Sequence, residues 1–120
     1  MRRTKGESFD RVRDLGRALT GVEEGTMYGS PALKLRGKML ACVATNKAAD
    51  PDSLVVQVGF VNRDLLIAKD PSVYYVRKHY APYPVVVVRM NRIKKDDLEE
   101  LLGMSYRYMS SEKKSRAKPK

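Results

Sequence analysis

A chain of 120 residues, 42% apolar and 32% charged with a formal net charge of +10, has the size and composition of one soluble domain and no room for a second. A single cysteine excludes an intrachain disulfide, and no apolar run approaches the roughly 18 residues that a membrane helix requires. Residues 1–5 contribute +3, residues 107–120 contribute +5 and residues 6–106 only +2, so the excess charge sits at the ends and names polyanions as a partner class.

In chain order, residues 1–7 read as a basic arm, 8–110 as the folded domain and 111–120 as a basic tail too poor in apolar residues to order itself. The Arg2-Arg3 start lacks the apolar stretch of a secretory signal, so a cytoplasmic protein is the expectation. Ser8 can cap a first helix with Phe9, Val12, Leu15 or Gly16, and Leu19 on one face, ended by Gly21. Val22-Glu23-Glu24-Gly25 leads to the clearest local signal, a hairpin. Leu33 and Leu35 alternate with Lys34 and Arg36, Gly37 interrupts, and Met39, Ala41 and Val43 resume an alternating apolar set. A strand directs successive side chains to opposite faces, which predicts a core face and a cationic face carrying Lys34, Arg36 and Lys38. Tyr28-Gly29-Ser30-Pro31 in front of it is turn chemistry.

The polar segment from Ala44 to Ser53 reads as a loop, and Leu54 to Val58 as a strand with Leu54, Val56 and Val58 inward. Asn62 can cap a short helix holding Leu65, Leu66 and Ala68, stopped by Asp70-Pro71. Tyrosines then interleave with Arg77, Lys78 and His79, and Val73 to Val76 reads as a short strand in which one of the adjacent Tyr74 and Tyr75 must face the core. The run from Val85 to Val88 predicts a central strand buried on both faces, with Arg89 in parity with Val85 and Val87. A last helix spans Lys95 to about Ser110, with Leu98, Leu101, Leu102, Tyr106 and Met109 as its apolar stripe. The carboxylates of Asp96, Asp97, Glu99 and Glu100 suit the start of that helix.

These elements give an α+β, two-layer domain, an antiparallel sheet with helices on one face, in the order α-β-β-β-α-β-β-α. Val22-Glu23-Glu24, Tyr28-Gly29-Ser30-Pro31, Gly37-Lys38, Tyr74-Tyr75 with His79-Tyr80, Tyr83-Pro84 before Val88-Arg89, and Leu98-Glu99-Glu100-Leu101-Leu102 resemble, in order and spacing, the MmcQ/YjbR family over roughly residues 9–110. The resemblance implies a fold similar to secretion chaperones and a double-wing DNA-binding role, with no catalytic residue to carry over.

Nucleic acid, and DNA within that class, is therefore the first expected partner, met by Lys34, Arg36, Lys38, Arg77, Lys78 and Arg89. The alternative is a protein-binding adapter that uses an exposed sheet face around Val55, Gln57, Val85 and Val87. No enzyme, cofactor, metal site or membrane partner is expected. His79 and Cys42 are each the sole residue of their kind and supply only two parts of a nucleophilic triad, and no glycine-rich phosphate loop is present.

Overall fold

A computed structural model of the chain describes residues 5–27, 29–44, 49–50 and 52–116, apart from the side chains of residues 5–8 and 112–116. Nine elements follow one another within them: α1 (Lys5–Gly16), β1 (Val22–Met27), β2 (Ser30–Leu35), β3 (Lys38–Val43), β4 (Ser53–Gln57), α2 (Phe60–Lys69), β5 (Tyr74–Tyr75), β6 (Val85–Arg89) and α3 (Lys95–Arg116). The six strands form one antiparallel sheet in the order β1-β2-β3-β4-β6-β5, and the expected α+β succession is present with β1 added at its edge. Glu23, Glu24 and Gly25 have little intrinsic strand preference. Pairing with β2 along the whole of β1, from Val22 opposite Leu35 to Met27 opposite Ser30, overrides it.

The three helices cover one face of the sheet. Phe9 and Val12 of α1, Leu66 of α2 and Leu98, Leu101 and Leu102 of α3 join Leu33, Leu35, Leu54, Val56, Val86 and Val88 in the main core. α1 comes close enough to β2 that a Cβ on Gly16 would stand 2.5 Å from Leu33 Cδ1, and the helix ends there, ahead of Leu19 and Gly21. Ser8 lies inside α1 rather than at its cap. Asn62 likewise falls within the first turn of α2, where its side chain donates to the Val58 carbonyl at 3.0 Å, and Gly59 holds the cap position. α3 continues past Ser110 to Arg116; residues 1–4 and 117–120 of the predicted arm and tail lie outside the described residues.

Two features change the expected side-chain pattern. Leu33 pairs with Ala41 but Lys34 with Met39, so Leu40 is an extra residue in β3. Leu40, Ala41 and Val43 consequently all reach the main core, while Met39 turns to the opposite face. The second feature concerns that opposite face, which is covered: Ala32, Cys42, Val55 and Val85 form a second cluster beneath Ala49 and Tyr80 from the loops after β3 and β5. Val55, Val85 and Val87 are 3%, 4% and 0% exposed, and Gln57 donates to the Met39 carbonyl at 3.1 Å. The exposed sheet face expected for an adapter is therefore absent at these residues, and Ala49 and Tyr80 pack over the cluster. No described helix is long and apolar enough to cross a membrane.

Candidate nucleic-acid interface

The β2–β3 hairpin closes on Leu35 opposite Lys38, leaving Arg36 and Gly37 as its two-residue turn. Both have positive φ, +54° and +82°, the backbone of a type I′ turn whose twist matches that of the flanking strands. Gly37 adopts it freely, whereas Arg36 does so against the usual cost to a residue with a Cβ. Arg36 thus stands at the tip and not on a strand face. Lys34 lies opposite Met39, on the side of the second cluster, and its stem runs beside Gly25, whose Cβ would meet Lys34 Cδ at 3.6 Å. Lys38 lies opposite Leu35, which faces the helices. Directly opposed residues share a face, so Lys34 and Lys38 flank the tip from two sides instead of forming one cationic face. Arg36 and Lys38 are exposed and Lys34 is half-buried.

Arg77 and Arg89 belong to a separate cluster. Asp50 receives Arg77 Nη2 at 2.8 Å on Oδ1 and Arg89 Nε at 3.1 Å on Oδ2. Both guanidiniums also lie over the Tyr75 ring, with Arg89 Cζ at 4.1 Å and Arg77 Cζ at 4.9 Å from its centroid, a cation–π arrangement. The Tyr75 hydroxyl accepts from the Asp50 backbone N–H at 2.8 Å and shares a hydrogen bond of 2.8 Å with Ser53 Oγ. Arg89 further donates to the carbonyls of Pro71 and Ser72, each at 3.3 Å. Hydrogen bonds from Arg77, then from Arg89, hold the Asp50 carboxyl below its ordinary range against the opposing effect of desolvation. Lys78, next in the chain, is exposed.

The sheet keeps these two cationic regions apart. Arg89 is level with Ser53 at the start of β4, while β3 begins with Lys38 at the other end of the sheet. Strand geometry separates Lys38 from Arg89 by about 20 Å along the strands and about 10 Å across them. Lys34, Arg36 and Lys38 are brought together, Arg77 and Arg89 are brought together, and the two groups do not meet.

Asp50 is a site residue that sequence patterning does not single out, since Asp50-Pro51-Asp52 is legible only as a loop. A signal for it exists all the same: Arg89 in parity with buried valines requires a counterion, and a polar loop joining the neighbouring strands can supply one. Tyr74 and Tyr75 are both buried, at 5% and 8%: Tyr74 joins the main core, while Tyr75 is covered by the Arg77 and Arg89 guanidiniums. Burial pushes the Cys42 thiol up to about 11, which suppresses the thiolate that nucleophilic chemistry uses. His79, on the exposed side of the loop after β5, stacks edge-on against Tyr80 with centroids 4.8 Å apart.

A family model described as YjbR matches residues 17–108, a stretch that contains all six strands and both cationic regions. Uncharacterized proteins of Mycobacterium bovis and Mycobacterium tuberculosis are each 49% identical to this chain over 37 residues. That match takes in 31% of this chain and 29% of theirs, under a third of the length of these curated relatives. A crystal structure of a Deinococcus radiodurans protein, whose domain carries the description DUF419, superposes with a TM-score of 0.65 at 21% identity, over 81% of this chain and 74% of that one. At that identity the likeness extends to the fold alone.

Proposed function

We propose, from the premise that the chain belongs to the YjbR family, that it is a non-catalytic nucleic-acid-binding domain, with duplex DNA as its ligand, which meets phosphates with the tip of the β2–β3 hairpin. One contrast among the cations supports this reading. Arg13, Arg63, Arg77 and Arg89 are held by carboxylates, Glu24 with Asp10, Asp64, and Asp50 twice, whereas Lys34, Arg36 and Lys38, like Lys69, Lys94 and Lys95, pair with no described carboxylate, and the hairpin gathers its three about one tip. A narrow hairpin fits against a groove, and cations that neutralise phosphates release condensed counterions. Lys78 and the outer side of Arg77, whose side chain is 43% exposed, add a second and weaker contact, while Arg89 acts by holding Tyr75 and Asp50. A cytoplasmic setting accompanies this reading, as does a role for the terminal charges in nonspecific attraction.

The test is a salt titration of duplex DNA binding by the full chain, by residues 5–116 alone, and by each with Lys34, Arg36 and Lys38 replaced by Ala. The triple substitution is expected to flatten the plot of log affinity against log salt by up to about 2.7, taking roughly 0.9 for each phosphate that is no longer neutralised. Unchanged slopes, or binding that disappears with the termini alone, would remove the hairpin from the interface.

A further inference from the structure

Among the described residues, the large apolar side chains left exposed are Phe60 at 47%, Val61 at 74%, Leu65 at 63% and Tyr83 at 56%. They lie together. Phe60, Val61 and Leu65 belong to α2, and Arg63 places its guanidinium 4.9 Å from the Phe60 ring centroid. Arg63 Nη1 also donates to the carbonyls of Ala81 at 2.9 Å and Tyr83 at 3.2 Å, which ties the Tyr83 loop to the helix. Leu66 and Ile67 already bind α2 to the core. On the outward side Val61, Leu65 and exposed Ala68 follow at spacings of four and three residues, so a second apolar stripe runs down a helix that needs only one.

That stripe is a short coiled-coil seam in its spacing, with Val61 and Ala68 at the d positions and Leu65 at the a position between them. In this register Asp64 takes the g position and Lys69 the e position. A parallel partner of the same sequence brings g of one helix against e, five residues on, of the other, so Asp64 would face the partner's Lys69 twice across a two-fold axis. Both side chains are exposed, Asp64 70% so, and the ion pair of Asp64 with Arg63 at 3.1 Å engages Oδ1. α2 packs over β5 and β6, while the hairpin belongs to β2 and β3 in the other half of the sheet, so a cover on α2 leaves Arg36 and Lys38 free.

From these relations we infer that the outward stripe of α2 is a homodimer interface, in which Val61, Leu65 and Ala68 meet their counterparts in a parallel pair flanked by Asp64 and the partner's Lys69. The interface is small, so the dimer forms reversibly at high protein concentration.

Sedimentation equilibrium of nuclease-treated full-length protein, over a micromolar to near-millimolar series, reads this directly, since nuclease treatment prevents bridging by nucleic acid. The expected result is an apparent mass that rises towards twice that of the chain. Leu65→Asp should keep it at one chain without moving the thermal midpoint, because Leu65 is outside the core. Asp64→Lys and Lys69→Asp should each weaken association at low salt, and the two together should restore it. A wild-type mass that stays at one chain throughout overturns the inference, and so does a dimer indifferent to Leu65→Asp. A dimer sensitive to Leu65→Asp that the charge exchange fails to restore overturns the parallel register.

Discussion

Gly59 lies under the ring of Tyr108, and a Cβ built on it would stand 2.9 Å from Tyr108 Cε1. This approach links the start of α2 to α3, and it occurs where the backbone turns with φ at +91° to bring the chain from β4 into the helix. Gly59→Ala combines left-handed strain with a collision against an aromatic ring, and we expect a loss of about 2–3 kcal/mol in chemical denaturation. Gly37→Ala has the strain without the collision, because nothing lies within 4 Å of its Cβ position. Its loss should be nearer about 1 kcal/mol. Equal losses would mean that Tyr108 moves aside freely.

On α3, Leu101 is 1% exposed in the main core while its neighbour Glu100 is exposed. Leu101→Ala removes a buried side chain and should cost about 2–5 kcal/mol; Glu100→Ala should cost under about 0.5 kcal/mol. Urea unfolding of the two variants checks the assignment of the helix face.

The tie between Asp50 and its two arginines should depend on pH. The folded-state carboxyl titrates below the ordinary value of 3.8, so its contribution to stability is present above that value and is lost as pH falls through the lower folded value. The Asp50 and Arg77 side chains are 36% and 43% exposed, so solvent screening keeps the effect small. Asp50→Asn should be less stable than the natural protein at pH 7, and the gap should close below about pH 4. A gap that persists undiminished in acid would show that the carboxylate charge is not what the arginines hold.

Tyr75→Phe removes the hydroxyl that bonds Ser53 Oγ and the Asp50 backbone N–H but keeps the ring beneath the arginines. Ser53 is 1% exposed, so its hydroxyl would lose a partner inside the protein. The expected cost is about 1–2 kcal/mol, with faster hydrogen exchange at the Asp50 amide as the local readout.

Cys42 is 7% exposed, with its thiol pushed up to about 11 by burial. A thiol reagent at pH 8 should label the native protein far more slowly than the urea-unfolded protein, in which an ordinary cysteine is partly ionised. Rapid labelling of the native state would indicate that the second cluster opens readily.

Periodicity by itself determined the elements whose two faces differ. The alternation around Leu33 and Leu35 and the stripe through Leu98, Leu101 and Leu102 each encode a buried side locally, and the β-branched run at Val85 to Val88, with no polar alternation, encodes burial on both faces. Only tertiary structure decided what depends on a distant partner. β1 is a strand because β2 pairs with it, and Lys34 and Lys38 fall on opposite faces because the two-residue turn at Arg36-Gly37 sets Leu35, not Lys34, opposite Lys38. Leu65 and Leu66 are identical to a pattern reader, yet the fold buries Leu66 and leaves Leu65 to solvent. Arg36 and Arg89 are likewise the same residue in sequence. The first stands at a turn with no described carboxylate, the second beside Asp50, and a charge acquires its meaning from the counterion that the fold brings to it.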